Sequence, residues 1–242
     1  MTREWTSPDG RMRLINGCCM DFMRGCRDGE FDLACVDPPY GIGMDNSNKR
    51  TKPSRPNSYT DYPDFRYHNS EWDGNAPSDD YFSALFRVSQ NQIVWGANYF
   101  CARLPEGSGW IFWDKDNGLD NCFSDGEFAF SSKGVQSRYF KCSAFHELRG
   151  GKDRIHPTQK PVALYRWLFQ NYAKPGDRIL DTHVGSASSF IAAWEKGFEI
   201  TGCELDGDYF DAAVARIEKA MQQPALPFDT PPQPQHTSQE LF

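Results

Sequence analysis

The sequence predicts an α/β fold in which a mostly parallel sheet carries helices on both faces. Three observations point there. Short apolar runs stop abruptly at an acidic residue, as 31–36 does before Asp37 and 178–180 before Asp181. Stretches of helical length separate such runs, and alternating strands and helices imply parallel pairing with both faces covered. The chain's 242 residues suffice for one substantial domain and fall short of two ordinary ones.

In order, the Ser7-Pro8-Asp9-Gly10 turn precedes a strand over 11–16, and 21–27 reads as a brief helix. The strand over 31–36 ends at Asp37-Pro38-Pro39. Residues 41–78 are rich in Gly, Asn, Ser, Pro and Lys and poor in aliphatics, which predicts a long irregular insertion, either functional or disordered. A helix over 79–89 follows, then strands over 92–95, 110–113 and 127–131. Proline at its first turn opens a helix over 161–172. After the turn at 174–177 come a strand over 178–180, a Gly/Ser-rich loop, a helix over 188–196, a strand over 198–203 ending at Glu204, and a helix over 208–221. From Gln222 the chain turns to Pro, Gln and Thr without apolar periodicity, so 222–242 reads as a disordered tail on a domain spanning 1–221.

Composition narrows the classes of function. No apolar run reaches the length of a bilayer span and the N-terminus lacks a signal-peptide core, so a soluble cytoplasmic protein is expected, with no membrane partner. Eight cysteines stand at 18, 19, 26, 35, 101, 122, 142 and 203 with no C-x-x-C pair, which predicts reduced thiols and no metal site. The net charge of −7 argues against a generic DNA-coating protein. Charge is nevertheless uneven. Seven Lys/Arg between 133 and 160 oppose two acids, the run 49–55 carries no acid, and 195–218 is acidic. Basic stretches on an acidic body fit a protein that grips a polyanion on one face, although solvated surface loops would look the same.

Two clusters carry chemistry. The segment Asp181-Thr182-His183-Val184-Gly185-Ser186-Ala187-Ser188 joins a strand end, a small-residue loop and a helix start, and Glu204 ends the next strand. An acid there can accept hydrogen bonds from both hydroxyls of a ribose. With one glycine and no G-K-[ST], the loop is no phosphate cradle, which points to S-adenosylmethionine rather than NAD or ATP. The second cluster is Asp37-Pro38-Pro39-Tyr40. Two prolines fix the backbone and remove competing N–H donors, leaving the Asp37 carboxylate and Pro38 carbonyl as two acceptors for an amino group with two hydrogens. Accepting both makes a ring-conjugated amino nitrogen more tetrahedral and nucleophilic. Tyr40 offers a face for a flipped base, worth roughly 1–3 kcal/mol. The plain alternative is a strand-ending turn with a structural aspartate.

On these residues the chain resembles the beta class of DNA amino-methyltransferases, in which the tetrad precedes the cofactor loop. The likeness covers most of residues 11–220. His156-Pro157-Thr158-Gln159-Lys160-Pro161 resembles the family segment that helps hold the methionine end of the cofactor, and Cys203-Glu204-Leu205-Asp206 resembles its ribose-binding strand end. The resemblance implies a Rossmann-like S-adenosylmethionine-dependent methyltransferase fold with circularly permuted motif order. It implies catalysis by Asp37, Pro38, Pro39 and Tyr40. Cofactor contacts fall to Asp37, Thr158, Gln159, Lys160, Asp181, His183, Gly185, Ser186, Ala187, Glu204 and Leu205. The expected reaction is methylation of adenine N6 in a specific sequence of double-stranded DNA, as in restriction-modification. Alternatives are cytosine N4, since Asp at the tetrad's start usually marks adenine and Ser cytosine, or a catalytically silent binding module. Cytosine C5 chemistry needs a cysteine nucleophile, generally after proline, and no Pro-Cys pair is present. His146 and His183 are left out of catalysis.

Thr182-His183 stands where the family has Pro-Phe, Ala187 replaces the loop's second glycine, and Gly17-Cys18 replaces a Gly-Asp whose acid can bind the cofactor's adenine. Ala187 keeps the loop's shape unless the position needs φ > 0. DNA contacts are expected from Lys133, Arg138, Lys141, Arg149, Lys152 and Arg154, within a recognition stretch at about 116–155, and from Lys49, Arg50, Lys52 and Arg55. The family resemblance is compatible with a homodimer. The end Gln239-Glu240-Leu241-Phe242 resembles peptides that dock on the bacterial sliding clamp.

Overall fold

Apolar residues at alternate positions turn toward two helix layers, and the sheet between those layers has nine strands. The computed structural model describes residues 3–42, 73–106, 109–116, 124–143 and 154–222. Its strands are β1 (Arg3–Thr6), β2 (Met12–Asn16), β3 (Phe31–Val36), β4 (Ser89–Trp95), β5 (Gly109–Asp114), β6 (Gly126–Ser131), β7 (Arg138–Lys141), β8 (Arg178–Asp181) and β9 (Glu199–Glu204). Its helices are α1 (Cys19–Gly25), α2 (Asp79–Val88), α3 (Val162–Tyr172), α4 (Ser188–Lys196) and α5 (Gly207–Met221).

The strand order is β1-β2-β9-β8-β3-β4-β6-β5-β7, and only β1 and β6 run against the rest. In β3, Leu33 and Cys35 join the core under α3, α4 and α5, while Ala34 and Val36 join the one under α1 and α2. This is the expected α/β, Rossmann-like architecture. Ser78 caps α2 by accepting from the Tyr81 amide, and Asp206 caps α5 by accepting from Asp208 and Tyr209.

Connections leave β8 through α4 toward β9 on one side and leave β3 toward β4 on the other. Their directions diverge between β8 and β3, which pair as Leu33↔Ile179 and Ala34↔Leu180. In open α/β sheets a crevice opens at the carboxyl ends of such a strand pair, and ligands bind there.

The structure adds two edge strands to the expected elements, β1 and β7, and two short 3-10 turns at Ala97–Tyr99 and Cys101–Arg103. It also begins β4 at Ser89, directly after α2. The described ends of the 41–78 stretch are tied together, because the Gly41 amide donates to buried Asp73 at 2.9 Å. Residues 43–72 and the tail beyond 222, with the Gln239–Phe242 end, lie outside the described residues. No helix among the described residues is long and apolar enough to cross a membrane.

Candidate active site

The carboxyl ends of β2, β3, β8 and β9 surround a cavity of roughly 540 Å³. Its wall is made by Gly17, Cys18 and Cys19 after β2, Asp37 and Pro39 after β3, 182–186 after β8, and 203–206 at the end of β9. His156, Thr158, Gln159, Lys160, Tyr165 and Tyr209 close it. Glu204 and Asp37 thus stand on one rim two strands apart, about 10 Å by sheet spacing.

At the β3 end the tetrad enters a buried charge network. The Tyr40 hydroxyl donates to Asp37 Oδ1 at 2.7 Å and lies 3.2 Å from Glu127 Oε2. The Lys160 ammonium, 3% exposed, donates to Asp37 Oδ2 at 2.6 Å and to Glu127 Oε2 at 2.9 Å, and reaches the Tyr40 hydroxyl at 3.2 Å. Lys115 holds the other oxygen of Glu127 at 2.6 Å. Two carboxylates therefore meet two ammonium groups, the arrangement a buried charge needs. Burial pushes the Asp37 carboxyl up, with Lys160 opposing and Glu127 reinforcing the rise. Burial also works against Glu127, but Lys160 and Lys115 outweigh it and hold that carboxyl down at about 2. The Tyr40 ring stacks on Tyr99 with centroids 5.1 Å apart and meets the edge of Phe100 at 6.1 Å. It also lies over Gly96, at φ +71°, where any Cβ would collide with the ring.

At the β9 end, Glu204 accepts from the Gly185 amide at 2.8 Å and from the Asp206 amide at 2.9 Å. Both donors favour the ionised form, yet burial prevails and raises the carboxyl to about 7. Asp181 is buried behind the wall, where Ser189 Oγ donates to it at 2.5 Å and the His183 amide at 3.1 Å. Burial raises it to about 6. Burial lowers His183 to about 4, and burial with Lys160 and Arg154 lowers His156 to about 3, so both rings are neutral near pH 7. Ala187 sits at φ +60° with no exposure, a left-handed conformation that favours glycine. The position does need φ > 0, and the alanine adopts it.

The structure therefore gathers Asp37, Pro39, Thr158, Gln159, Lys160, His183, Gly185, Ser186, Glu204 and Leu205 around one cavity. Pro38, Asp181 and Ala187 are buried beside it, and Tyr40 bridges the charge network to Tyr99. The basic residues are placed differently. Lys133 follows β6, which runs against the parallel strands, so it lies at the sheet edge remote from this rim, where its ammonium donates to the Tyr172 carbonyl at 2.8 Å. Arg154 is turned inward onto the carbonyls of His156 and Pro157. Arg138 is exposed on β7, and exposed Lys141 pairs with Asp116 at 2.8 Å. Lys49, Arg50, Lys52, Arg55, Arg149 and Lys152 lie outside the described residues. Sequence reasoning missed Glu127, Lys115 and Tyr99. A strand beginning at Glu127 was legible. Its antiparallel direction, which carries that end to the rim, was not.

Residues 94–215 match the DNA methylase family of N6/N4 methyltransferases, a span that takes in 156–161, the 181–188 loop and Glu204 and begins downstream of the tetrad. The type II methyltransferase M2.MboI of Moraxella bovis is 25% identical over 258 aligned positions, 88% of this chain and 90% of that one. A protein of Escherichia coli (strain K12) provisionally named methylase YubD is 37% identical over 76 residues, which is 30% of this chain and only 34% of that protein's length. Among solved structures, M1.HpyAVI in complex with SAM superposes with a TM-score of 0.54 at 16% identity, covering 85% of this chain and 98% of that one. The cytosine-N4-specific PvuII DNA methyltransferase gives 0.56 at 14% identity, covering 89% and 91%. These two likenesses establish the fold, and with half of its length matched by the family the chain belongs to the N6/N4 DNA methylases.

Proposed function

We propose that the protein transfers a methyl group from S-adenosylmethionine to N6 of an adenine turned out of double-stranded DNA. The observation that carries this reading is the placement of Asp37 and Glu204 on one rim of one cavity, two strands apart, with the 181–188 loop between them. The residues present suit the cofactor. Glu204, fixed by two amides, accepts from ribose hydroxyls, and the single-glycine loop offers nothing to phosphate. Thr158, Gln159 and Lys160, which line the same cavity, would hold the cofactor's methionine end. When bound, the cofactor supplies a methyl group on a positively charged sulfur.

The protein's own part is to prepare the nucleophile. Asp37 and the Pro38 carbonyl accept the two amino hydrogens, which concentrates the lone pair on nitrogen. The base is proposed to stack on Tyr40 in the place that Tyr99 takes in this structure, with Phe100 and the bare backbone of Gly96 bracing the ring. The methylated nitrogen gives up one proton, and Asp37, which accepts that hydrogen and whose carboxyl is pushed up by burial, is the group placed to take it before it passes to solvent, so neither neutral histidine is needed as a base. The described residues proposed to meet DNA phosphate are Arg138 and Lys141, and the pairing of Lys141 with Asp116 is exposed and screened by solvent, so phosphate can compete for it.

Aspartate at the tetrad's first position favours adenine, although the same two acceptors would serve the amino group of cytosine. Incubation with labelled S-adenosylmethionine and mixed-sequence duplex DNA, followed by mass spectrometry of the nucleosides, decides the matter. N6-methyladenine is the expected product. N4-methylcytosine would replace the base, and absence of any methylated nucleoside would remove the reading.

A further inference from the structure

Each oxygen of Asp37 already receives a hydrogen bond before any base arrives, Oδ1 from the Tyr40 hydroxyl and Oδ2 from the Lys160 ammonium. To accept an amino hydrogen in good geometry, at least one of these donors has to loosen. A donor released from a buried carboxylate needs another acceptor within reach, or its desolvation is left uncompensated. One acceptor lies within hydrogen-bond distance of both donors. Glu127 Oε2 stands 3.2 Å from the Tyr40 hydroxyl and 2.9 Å from Lys160 Nζ. The Tyr40 hydroxyl has a single proton and two carboxylates in range, so rotation about its C–O bond moves the hydrogen bond with little movement of heavy atoms.

We infer that Glu127 is a positioning residue for the transfer step, which takes over the Tyr40 hydroxyl and the Lys160 ammonium as Asp37 engages the substrate amino group. This rests on the function proposed above. Three features fit the role. Lys115 fixes the second oxygen of Glu127 at 2.6 Å, so its first oxygen is held toward the exchange. Glu127 reaches the site from the start of antiparallel β6, whose Gly126 pairs with Asp114, and not from the strands that carry the cofactor loop. It does not line the cavity, so it acts through Tyr40 and Lys160 without touching the cofactor.

The titratable groups around Asp37 are Lys160, Glu127 and Tyr40, with Cys35, Tyr81, Tyr165 and Asp181 further back. Those around Glu127 are Lys160, Lys115, Tyr40 and Asp37, with Tyr165 further back. Glutamine at 127 keeps the shape and removes the charge, so Lys160 stays on Asp37. Single-turnover methylation of duplex DNA by Glu127→Gln is therefore expected to slow roughly 10- to 100-fold, with cofactor and DNA dissociation constants unchanged. The acid limb of its rate profile should move to lower pH, because the Glu127 charge that raises Asp37 is gone. Glu127→Asp, which keeps the charge on a shorter arm, should recover part of the rate and leave the acid limb in place; it also serves if the glutamine variant fails to fold. Unchanged rates in Glu127→Gln, or losses that follow cofactor affinity or melting temperature, overturn the inference while a working wild type leaves the proposed function standing. A wild type inactive on both adenine and cytosine removes the function and this inference with it.

Discussion

Glu204 presents its carboxylate from two backbone amides, yet burial leaves it near pH 7. Accepting from two hydroxyls is work for the ionised form. Cofactor affinity should therefore be full above pH 7 and fall about tenfold for each pH unit below it. Titration calorimetry from about pH 5.5 to 8.5 measures this, and a flat profile would refute it. Glu204→Gln should abolish the slope and weaken binding at high pH by roughly 1.5–3 kcal/mol. Lys160 is the opposite kind of residue, a cation held between two carboxylates. Lys160→Met leaves Asp37 and Glu127 facing each other with Lys115 as their remaining cation, and should lower stability by about 3–5 kcal/mol in denaturant melts. Asp37→Ala should abolish transfer while cofactor affinity, set mainly by Glu204, survives. Equal activity in that variant would end the proposed chemistry.

The short turns at strand ends decide where these side chains point. Gly96 follows β4 at φ +71°, and a Cβ there would sit 2.8 Å from Tyr40 Cζ. Gly96→Ala should cost about 1–3 kcal/mol in backbone strain and displace Tyr40, so transfer should fall further than thermal stability suggests. Ala187→Gly is the converse. Relief of the left-handed strain, about 1–2 kcal/mol, is offset by roughly 0.4–1 kcal/mol of chain entropy and about 0.8 kcal/mol for the buried methyl. A stability change within about 1 kcal/mol is expected, and a larger one would show that the loop itself rearranges. The strands that end in acids, β3, β8 and β9, were legible in the sequence because each is a buried run cut off by a polar residue. The edge strands β1 and β7 were not, since four mostly exposed residues such as Arg138–Lys141 carry no burial pattern. Ser89–Asn91 escaped for a related reason. These are polar residues drawn into β4 by the parallel ladder with β3, where Phe31 pairs with Ser89. The tetrad and Glu204 could be read from local pattern, whereas Glu127 meets Tyr40 across 87 positions through a strand direction that no local pattern encodes.

Over the whole molecule, one cavity collects residues from the ends of four strands, so a ligand bound there ties the sheet together. S-adenosylmethionine at a hundred times its dissociation constant should stabilise the fold by about 2.7 kcal/mol, a rise of roughly 5–10 °C in melting temperature, and Glu204→Gln should show less. The strand order also sets a schedule. β2 and β3 are made early, yet β9 and β8 lie between them and are made last. Until residues 178–204 arrive, the first strands face a gap about 14 Å wide that no neighbour fills. Such distant pairings close late, because chain entropy is spent before their contacts form. Cofactor binding should thus return only with the slowest phase when denatured protein is refolded, as followed by stopped-flow fluorescence. A growing or broken chain carries Asp37-Pro38-Pro39-Tyr40 from its first moments but has nothing to aim it at. Methyl transfer should therefore be absent from any chain that lacks 178–204, however intact its tetrad.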